Sequence, residues 1–572
     1  MTGWSVRKRV KEIAPDEIFL DSSNLPDYES SQFEGRVVPS LSRRATLSVG
    51  AAFLLLVLAF GGRAFSLQVV SGNSYADISR NNTLRQSVLF ATRGLILDRN
   101  GKELAWNVAA PVVADAATST ASTTPFALRQ YTTLPGFSDL LGFVTYPKAD
   151  KSGTWWRDTY SGMSGLELSY DQTLQGVNGN TIVETNAHGD VQRENIIAPP
   201  QSGEDLKLSI DADVQTELYK VLAQHAIDQG FQGGAAVIMN VHTGQLLAIT
   251  SFPEYDDNAF TAGDSSAIRA ANSDPQTPLL NRAVAGLYAP GSIVKPMMAA
   301  AALEQGIISP DKQIDSIGYI SVPNPYDPTH PSLFHDWTVH GWIDMRTAIA
   351  VSSDEYFYTV GGGYGGQQGL GIGNIDKYAA MFGFGTTTGI QLPGEQGGVV
   401  PSPAWKALAF PADPNWVLGD TYHSSIGQYG WQITPIQAVR YIAAVANGGT
   451  LLTPQLTASS TPESTQLGVP DADLEVVREG MRLGVTSNRS DAIEKFFNIP
   501  GIEIAGKTGT AQIGTHNQGE NSWAVGFWPA SNPQYAYAVV LENAPAGVPS
   551  GAAPGLLPFF QWLVANHPEY TN

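Results

Sequence analysis

The sequence predicts an α+β fold: an antiparallel sheet with helices on its faces, preceded by a mixed segment and a single membrane-spanning helix. Three observations predict it. Apolar strand-like runs open the C-terminal part of the chain (206–210, 235–239, 246–250) and close it (524–528, 535–541), with helix-rich sequence between. A sheet whose ends meet reads this way along a chain. Residues 45–62 form an 18-residue run without a charge, about the minimum for a bilayer span. With 43% apolar residues among 572, the chain can bury large cores, which excludes a wholly disordered protein.

The anchor comes first. Arg36, Arg43 and Arg44 precede the apolar run, with Arg7, Lys8, Arg9 and Lys11 further back. The positive-inside bias therefore places residues 1–44 in the cytoplasm and the large remainder outside. A cleaved signal peptide has a shorter basic leader, and a buried core helix shows a polar stripe. Apolar character resumes beyond Arg63, so the helix is expected over 45–70. Residues 71–205 are mixed, with a strand-like run at 94–97 and a Ser/Thr-rich stretch at 118–124. Pro199-Pro200 followed by QSGED reads as a linker.

The domain over 206–572 begins with the alternation of Leu206, Leu208 and Ile210. Asp211 or Asp213 caps a helix with Val214, Leu218, Val221 and Leu222 on one face. NVHTGQ between the next two apolar runs signals a hairpin. Ala530-Ser531-Asn532-Pro533 turns between the last two strands. A net charge of −20 without a basic face excludes a nucleic-acid partner. The absence of cysteine excludes thiol catalysis, disulfide scaffolds and cysteine zinc sites.

Three short motifs carry chemistry. In Tyr288-Ala-Pro-Gly-Ser292-Ile-Val-Lys295-Pro296, a Pro-Gly turn leads into helical composition running from Ser292 through Leu303. Ser292 is expected at the helix start, where N–H groups stabilise developing negative charge, with Lys295 on the same face. A serine hydroxyl needs an adjacent base, and a partly desolvated lysine can supply it. Alone, S-x-x-K also fits a solvated helix start. Lys507-Thr508-Gly509-Thr510 follows the alternating GIEIA and suits a strand facing a carboxylate, or a strand edge protected by lysine. Ser352-Ser353-Asp354 alone reads as a helix cap or loop.

Taken in order, S-x-x-K, S-x-[N/D] and K-T-G match the active-serine penicillin-binding arrangement. From these motifs the chain resembles a class B penicillin-binding protein of the elongation type, similar to penicillin-binding protein 2. Asn281-Arg282, His340-Gly341, 382–385, Gly394-Glu395, Gly427-Gln428 and Thr434-Pro435 resemble further family marks, as do the box at 93–101 and Gly165-Leu-Glu167 with Tyr170. The resemblance implies a penicillin-binding transpeptidase domain over 206–572 on a pedestal over 71–205. It implies a D,D-transpeptidase that cross-links peptidoglycan stem peptides through an acyl-enzyme and is acylated by β-lactams. Ser292 would be the nucleophile, Lys295 its base, Ser352 and Asp354 the second motif, and Lys507 with Thr508, Gly509 and Thr510 the substrate-carboxylate strand. Backbone N–H groups of Ser292 and Thr510 would form the oxyanion hole. No metal or organic cofactor is required. The implied partners are a multipass lipid-II glycosyltransferase and other elongation-complex proteins, with the pedestal docking on them. Alternatively, Arg93, Asp98 and Arg99 only pair within the pedestal. The implied location is the cytoplasmic (inner) membrane.

The second motif commonly ends in Asn, and here it ends in Asp354, which leaves that residue's hydrogen-bond role open. The S-x-D form and the segment from Phe334 to Trp342 favour elongation over division. A β-lactamase or carboxypeptidase would need a water-activating base, and a silent scaffold or β-lactam sensor would lose one of Ser292, Lys295 and Lys507. Gly361–Gly366 fits G-x-G-x-x-G but follows a helical pattern, so a loop is expected. His335, Asp336 and His340 have zinc-ligand chemistry, but a structural role is favoured.

Overall fold

The computed structural model describes residues 42–73, 83–110, 113–114, 121–122, 124–151, 154–185, 191–324, 327, 329–458, 462–489, 497–514, 516–548 and 550–571. The basic leader and most of the 118–124 stretch lie outside the described residues. The chain divides into two compact units, residues 1–85 with 183–193, and residues 86–182 with 194–572.

The first unit carries helix α1 (Arg43–Phe65), continued by one π turn over Ser66–Val70. The Ser42 hydroxyl caps it, accepting from the Ala45 N–H at 3.2 Å. The combined 28-residue helix is long and apolar enough to cross a membrane, and none of its apolar window is buried. It begins two residues before the uncharged run because Arg43 and Arg44 are good helix formers behind a serine cap.

In the second unit a four-stranded sheet joins β1 (Ile96–Leu97), β2 (Glu103–Val108), β3 (Leu128–Tyr131) and β4 (Leu206–Lys207) in the order β4-β1-β2-β3. Strand β4 runs parallel to β1. The chain then forms α2 (Ala212–Gln229), capped by the Asp211 carboxylate, one of the two caps the sequence offers.

Beside this sheet, Glu167 is fully buried between two arginines. Arg93 Nε lies 2.5 Å from one carboxylate oxygen and Arg129 Nε 2.7 Å from the other. Arg93 also reaches Asp171 at 2.8 Å. Asp98 accepts from the backbone N–H groups of Asn100 and Lys102 (2.8 Å each) and of Ala212 at the start of α2 (3.2 Å). Asn100 donates to Asp211 (3.0 Å), and the Arg99 guanidinium lies 5.6 Å from the Tyr570 ring. The 93–101 box is therefore an internal brace. Arg93 pairs locally, but Asp98, Arg99 and Asn100 clasp the domain that follows. Arg93 and Asp98 are each 1% exposed, too deeply buried to offer a docking face.

The larger sheet contains β5 (Gly233–Asn240), β6 (Leu246–Phe252), β7 (Ala505–Ile513), β8 (Gly519–Trp528) and β9 (Tyr535–Pro545), in the antiparallel order β6-β5-β9-β8-β7. Strands from both ends of the domain meet at the β5–β9 pair, where Val237 faces Ala538. Alternation assigns the faces. Ala235, Val237, Met239, Ala538 and Val540 enter one core, while Ala236, Ile238, Tyr537, Val539 and Leu541 enter the other. The first core also holds the helices Lys295–Glu304 and Pro435–Ala446. The second holds α2 and the helix Ala552–Asn566. The expected α+β arrangement is present.

Three carboxyls gather where segment 136–142 meets the end of β6. Burial pushes Asp139 and Asp257 each up to about 8 and raises Glu254. Glu254 accepts from the N–H groups of Gly136 (2.9 Å) and Ser138 (3.2 Å). Between about pH 4 and pH 8 the native state keeps protons that an unfolded chain releases, so these groups make stability fall as pH rises. Asp139→Asn is expected to remove about half of that decline between pH 5 and pH 8. Thermal unfolding across that range checks it; an unaltered slope would refute the assignment.

Candidate active site

The S-x-x-K motif folds differently from the expected continuous helix. Gly291–Val294 is a single 3-10 turn, and the α-helix begins at Lys295. Pro296 explains the boundary: it lacks an N–H and fits only the first helical turn. Ser292 thus sits on the 3-10 turn, and Lys295, three residues on, begins the helix. The Tyr441 hydroxyl donates to the Ile293 carbonyl and fixes the turn from beneath.

The Lys295 side chain is fully buried. Its ammonium donates to the Ser352 carbonyl (2.6 Å), the Ser352 hydroxyl (3.2 Å) and the Asp354 carboxylate (2.6 Å). The first and second motifs are therefore joined through this one ammonium. Burial pushes the Asp354 carboxyl up against the pull of Lys295, and the neighbouring Asp336 charge adds to the rise. Ser352 occupies the left-handed region at φ +57°, a conformation that costs about 1–3 kcal/mol and persists where its surroundings impose it. Ser353 is the N-cap of the helix Asp354–Gly362, so the helix-cap reading of Ser-Ser-Asp holds for its middle residue. That helix ends in the 361–366 glycines, which form a turn closed between Tyr364 and Gln367.

Asp336 fixes the second motif from outside. It accepts from the Ser353 hydroxyl (2.6 Å) and the Glu355 N–H (2.9 Å), and His340 Nε2 lies 3.6 Å from its other oxygen. Burial alone would raise its pKa. The adjacent His340 imidazole, the Lys295 charge and hydrogen bonds from the Ser353 hydroxyl and the Glu355 N–H instead hold it at about 2. His335 lines the cleft beside Asp336, its ring tilted against that of Tyr319. Among the described residues no three His, Asp or Glu side chains converge as a metal site.

Strand β7 is the sheet's edge strand and brings the third motif alongside. Lys507 is 1% exposed, and its ammonium donates to the Thr508 carbonyl at 2.8 Å. Gly509 allows the approach: a Cβ there would lie 2.7 Å from the Pro290 carbonyl oxygen and 2.9 Å from the Ile293 side chain. Ser292, Ser352, Asp354, Thr508, Gly509 and Thr510 line one cleft of about 660 Å³. Trp337 and Gln428, both within segments the sequence marks, also line it, and sequence reasoning missed four further residues of its wall: Tyr358, His423, Gln512 and Ser522. None of these four carries a local signal beyond its residue type. Burial lowers the His423 pKa, which favours its neutral form.

A buried lysine linking two serine motifs beside a K-T-G edge strand is an arrangement suited to acyl transfer through a serine. Comparison with known families agrees. Residues 234–555, more than half the chain, match the penicillin binding protein transpeptidase domain, and residues 115–208 match the penicillin-binding protein dimerisation domain. The chain belongs to the penicillin-binding protein transpeptidase family. It is 32% identical to the peptidoglycan D,D-transpeptidase MrdA of Acinetobacter baumannii over 464 residues, 75% of this chain and 65% of that protein. The chain thus spans just under two thirds of that relative's length. Penicillin-binding protein 2 of Helicobacter pylori, solved in complex with MreC, superposes with a TM-score of 0.69 at 26% identity, covering 85% of this chain and 99% of that one. A solved peptidoglycan synthase complex described as coordinating polymerization and crosslinking gives 0.69 at 26%, covering 92% and 99%.

Proposed function

We propose that the chain is a peptidoglycan D,D-transpeptidase of cell-wall elongation. The observation that carries the reading is the Lys295 ammonium, held between Ser352 and Asp354 on the helix that follows Ser292. Ser292 Oγ attacks the carbonyl of the penultimate D-alanine in a donor stem peptide, and Lys295 takes its proton. Base action requires a neutral Lys295. Asp354, whose carboxylate lies 2.6 Å from the Lys295 ammonium, is the group placed to receive the displaced proton. This gives the Asp a role that the usual Asn cannot fill. Backbone N–H groups of Ser292 and Thr510 stabilise the oxyanion, each worth about 3–4 kcal/mol. Terminal D-alanine leaves with a proton delivered through Ser352 and Lys295. The amine of a neighbouring stem peptide then takes the acyl group. β-Lactams acylate the same serine.

Residues 1–44 lie in the cytoplasm and 45–70 cross the inner membrane. Residues 71–205 form a pedestal, and the transpeptidase domain over 206–572 works outside. The pedestal docks on a multipass lipid-II glycosyltransferase and other elongation proteins through surfaces other than the buried Arg93 and Asp98. Support for these partners comes from the similarity to the MreC-bound protein and to the synthase complex.

Lys507, Thr508, Gly509 and Thr510 receive the donor's terminal carboxylate. Losing a charge-assisted hydrogen bond costs roughly 1.5–3 kcal/mol, a tenfold effect or more. Lys507→Ala is therefore expected to slow D-alanine release from a stem pentapeptide, and acylation by penicillin, at least tenfold with little change in melting temperature. Unchanged rates would remove Lys507 from the site. A parent chain that releases no D-alanine in the presence of an acceptor amine would overturn the reading itself.

A further inference from the structure

The lead-in to Ser292 is pinned to a second segment at two points. Tyr288 and Ile433 exchange both backbone hydrogen bonds (3.0 and 2.9 Å), and the Gly291 N–H donates to the Gly427 carbonyl at 3.0 Å. A Cβ on Gly427 would lie 2.1 Å from the Gly291 carbonyl oxygen, so the two backbones are in direct contact. Three residue steps from 288 to 291 face six from 427 to 433. The excess must bulge, and it does so through left-handed backbone: Gly427 at φ +78°, Tyr429 at +63° and Gly430 at +87°. Glycine takes that region freely. For a bulky residue such as Tyr429 it is an outlier that asks for a cause. Gln428 sits between two left-handed residues and lines the cleft with Ser292.

An aromatic cage holds Tyr429 there. Its ring centroid lies 5.7 Å from Trp405, 5.8 Å from Trp416 and 6.1 Å from Phe410, the last nearly parallel. The Lys406 ammonium stands 5.7 Å from the ring centre and is fixed by Asp420 at 2.7 Å. A Cβ on Gly430 would meet the Trp405 ring at 2.1 Å, so the cage closes on the backbone as well. Strain of this kind persists only where the surroundings over-determine it, and it concentrates at functional sites. A ring anchored merely for packing would not need the left-handed backbone beside a cleft residue.

We propose that Tyr429 is a positioning residue for acyl transfer. Its caged ring fixes the bulge, and the bulge sets both Gln428 in the cleft and the Gly427 carbonyl that braces the Ser292 turn. The inference rests on the acyl-transfer reading of that cleft.

The test uses the full-length chain in detergent and stopped-flow acylation by a fluorescent penicillin, which separates the limiting acylation rate from the half-saturating concentration. Tyr429→Phe keeps the ring and is expected to acylate within twofold of the parent. Tyr429→Ala removes the ring. Tyr429→Gly removes it and also relieves the left-handed strain. Both are expected to lose at least tenfold in limiting rate, with the glycine variant no less heat-stable than the alanine one. Parent-like acylation by either variant overturns the proposal, as does full recovery in the glycine variant, which would make the residue a matter of backbone strain alone. Should both fold poorly, Phe410→Ala opens the cage without altering residue 429, and the same tenfold criterion applies. Ser292→Ala is run in parallel: label persisting there defeats the underlying reading, separately from any result at Tyr429.

Discussion

Ser292→Ala is expected to abolish covalent labelling by a fluorescent penicillin in a chain that remains folded. Deleting the nucleophile of a serine acyl-enzyme lowers the rate on the order of a millionfold, because the remaining groups only stabilise a transition state that no longer forms a covalent bond. Folding should be spared. Ser292 is a half-buried residue of the 3-10 turn that lines the cleft, and the adjoining core residues Ile293 and Val294 are untouched. Peptide mass mapping of the labelled parent should place the adduct on the Ser292 peptide. A label that survives in Ser292→Ala, or maps to Ser352, would falsify the assignment.

The second large effect concerns stability. Glu167→Ala should strongly destabilise the chain, by roughly 3–5 kcal/mol, since it leaves the buried guanidiniums of Arg93 and Arg129 without their shared carboxylate. Asp171, 2.8 Å from Arg93, compensates only one of the two. The loss should fall on the four-stranded sheet, because Arg129 Nη1 also donates to the Gly94 carbonyl at 2.8 Å and so ties β3 to the approach to β1. Thermal unfolding and limited proteolysis of the 86–182 region measure it. Penicillin labelling of the surviving folded fraction should stay normal, as no triad residue lines the cleft. A melting temperature within a degree or so of the parent would sink the idea that the triad holds this region together, given the several degrees expected per kcal/mol in a small domain.

Some of this was legible in the sequence and some was not. The Asp211 cap, the hairpin of β5 and β6 and the late strands follow from signals confined to a few neighbouring residues. The helix start at Ser292 was misjudged by three residues, because composition does not reveal that Pro296 forces a 3-10 turn ahead of it. The 93–101 box was visible as a pattern, but its meaning was not: only the fold shows Asp98 reaching the first N–H groups of α2.

Periodicity, capping and motif order were determined by the sequence alone, and so were the α+β class, the apolar span, the three motifs and the family. These depend on short-range sterics and hydrogen bonding, which act over a few residues. The tertiary structure alone decided that Lys295 bridges Ser352 and Asp354, that Asp336 caps the second motif, that Gly509 lets β7 approach Pro290, and that Tyr429 is held left-handed beside the cleft. Each joins elements distant in sequence, most of them by dozens to hundreds of residues. Such contacts exist only once both faces of the sheet are buried, and packing, which no local pattern encodes, then sets their distances.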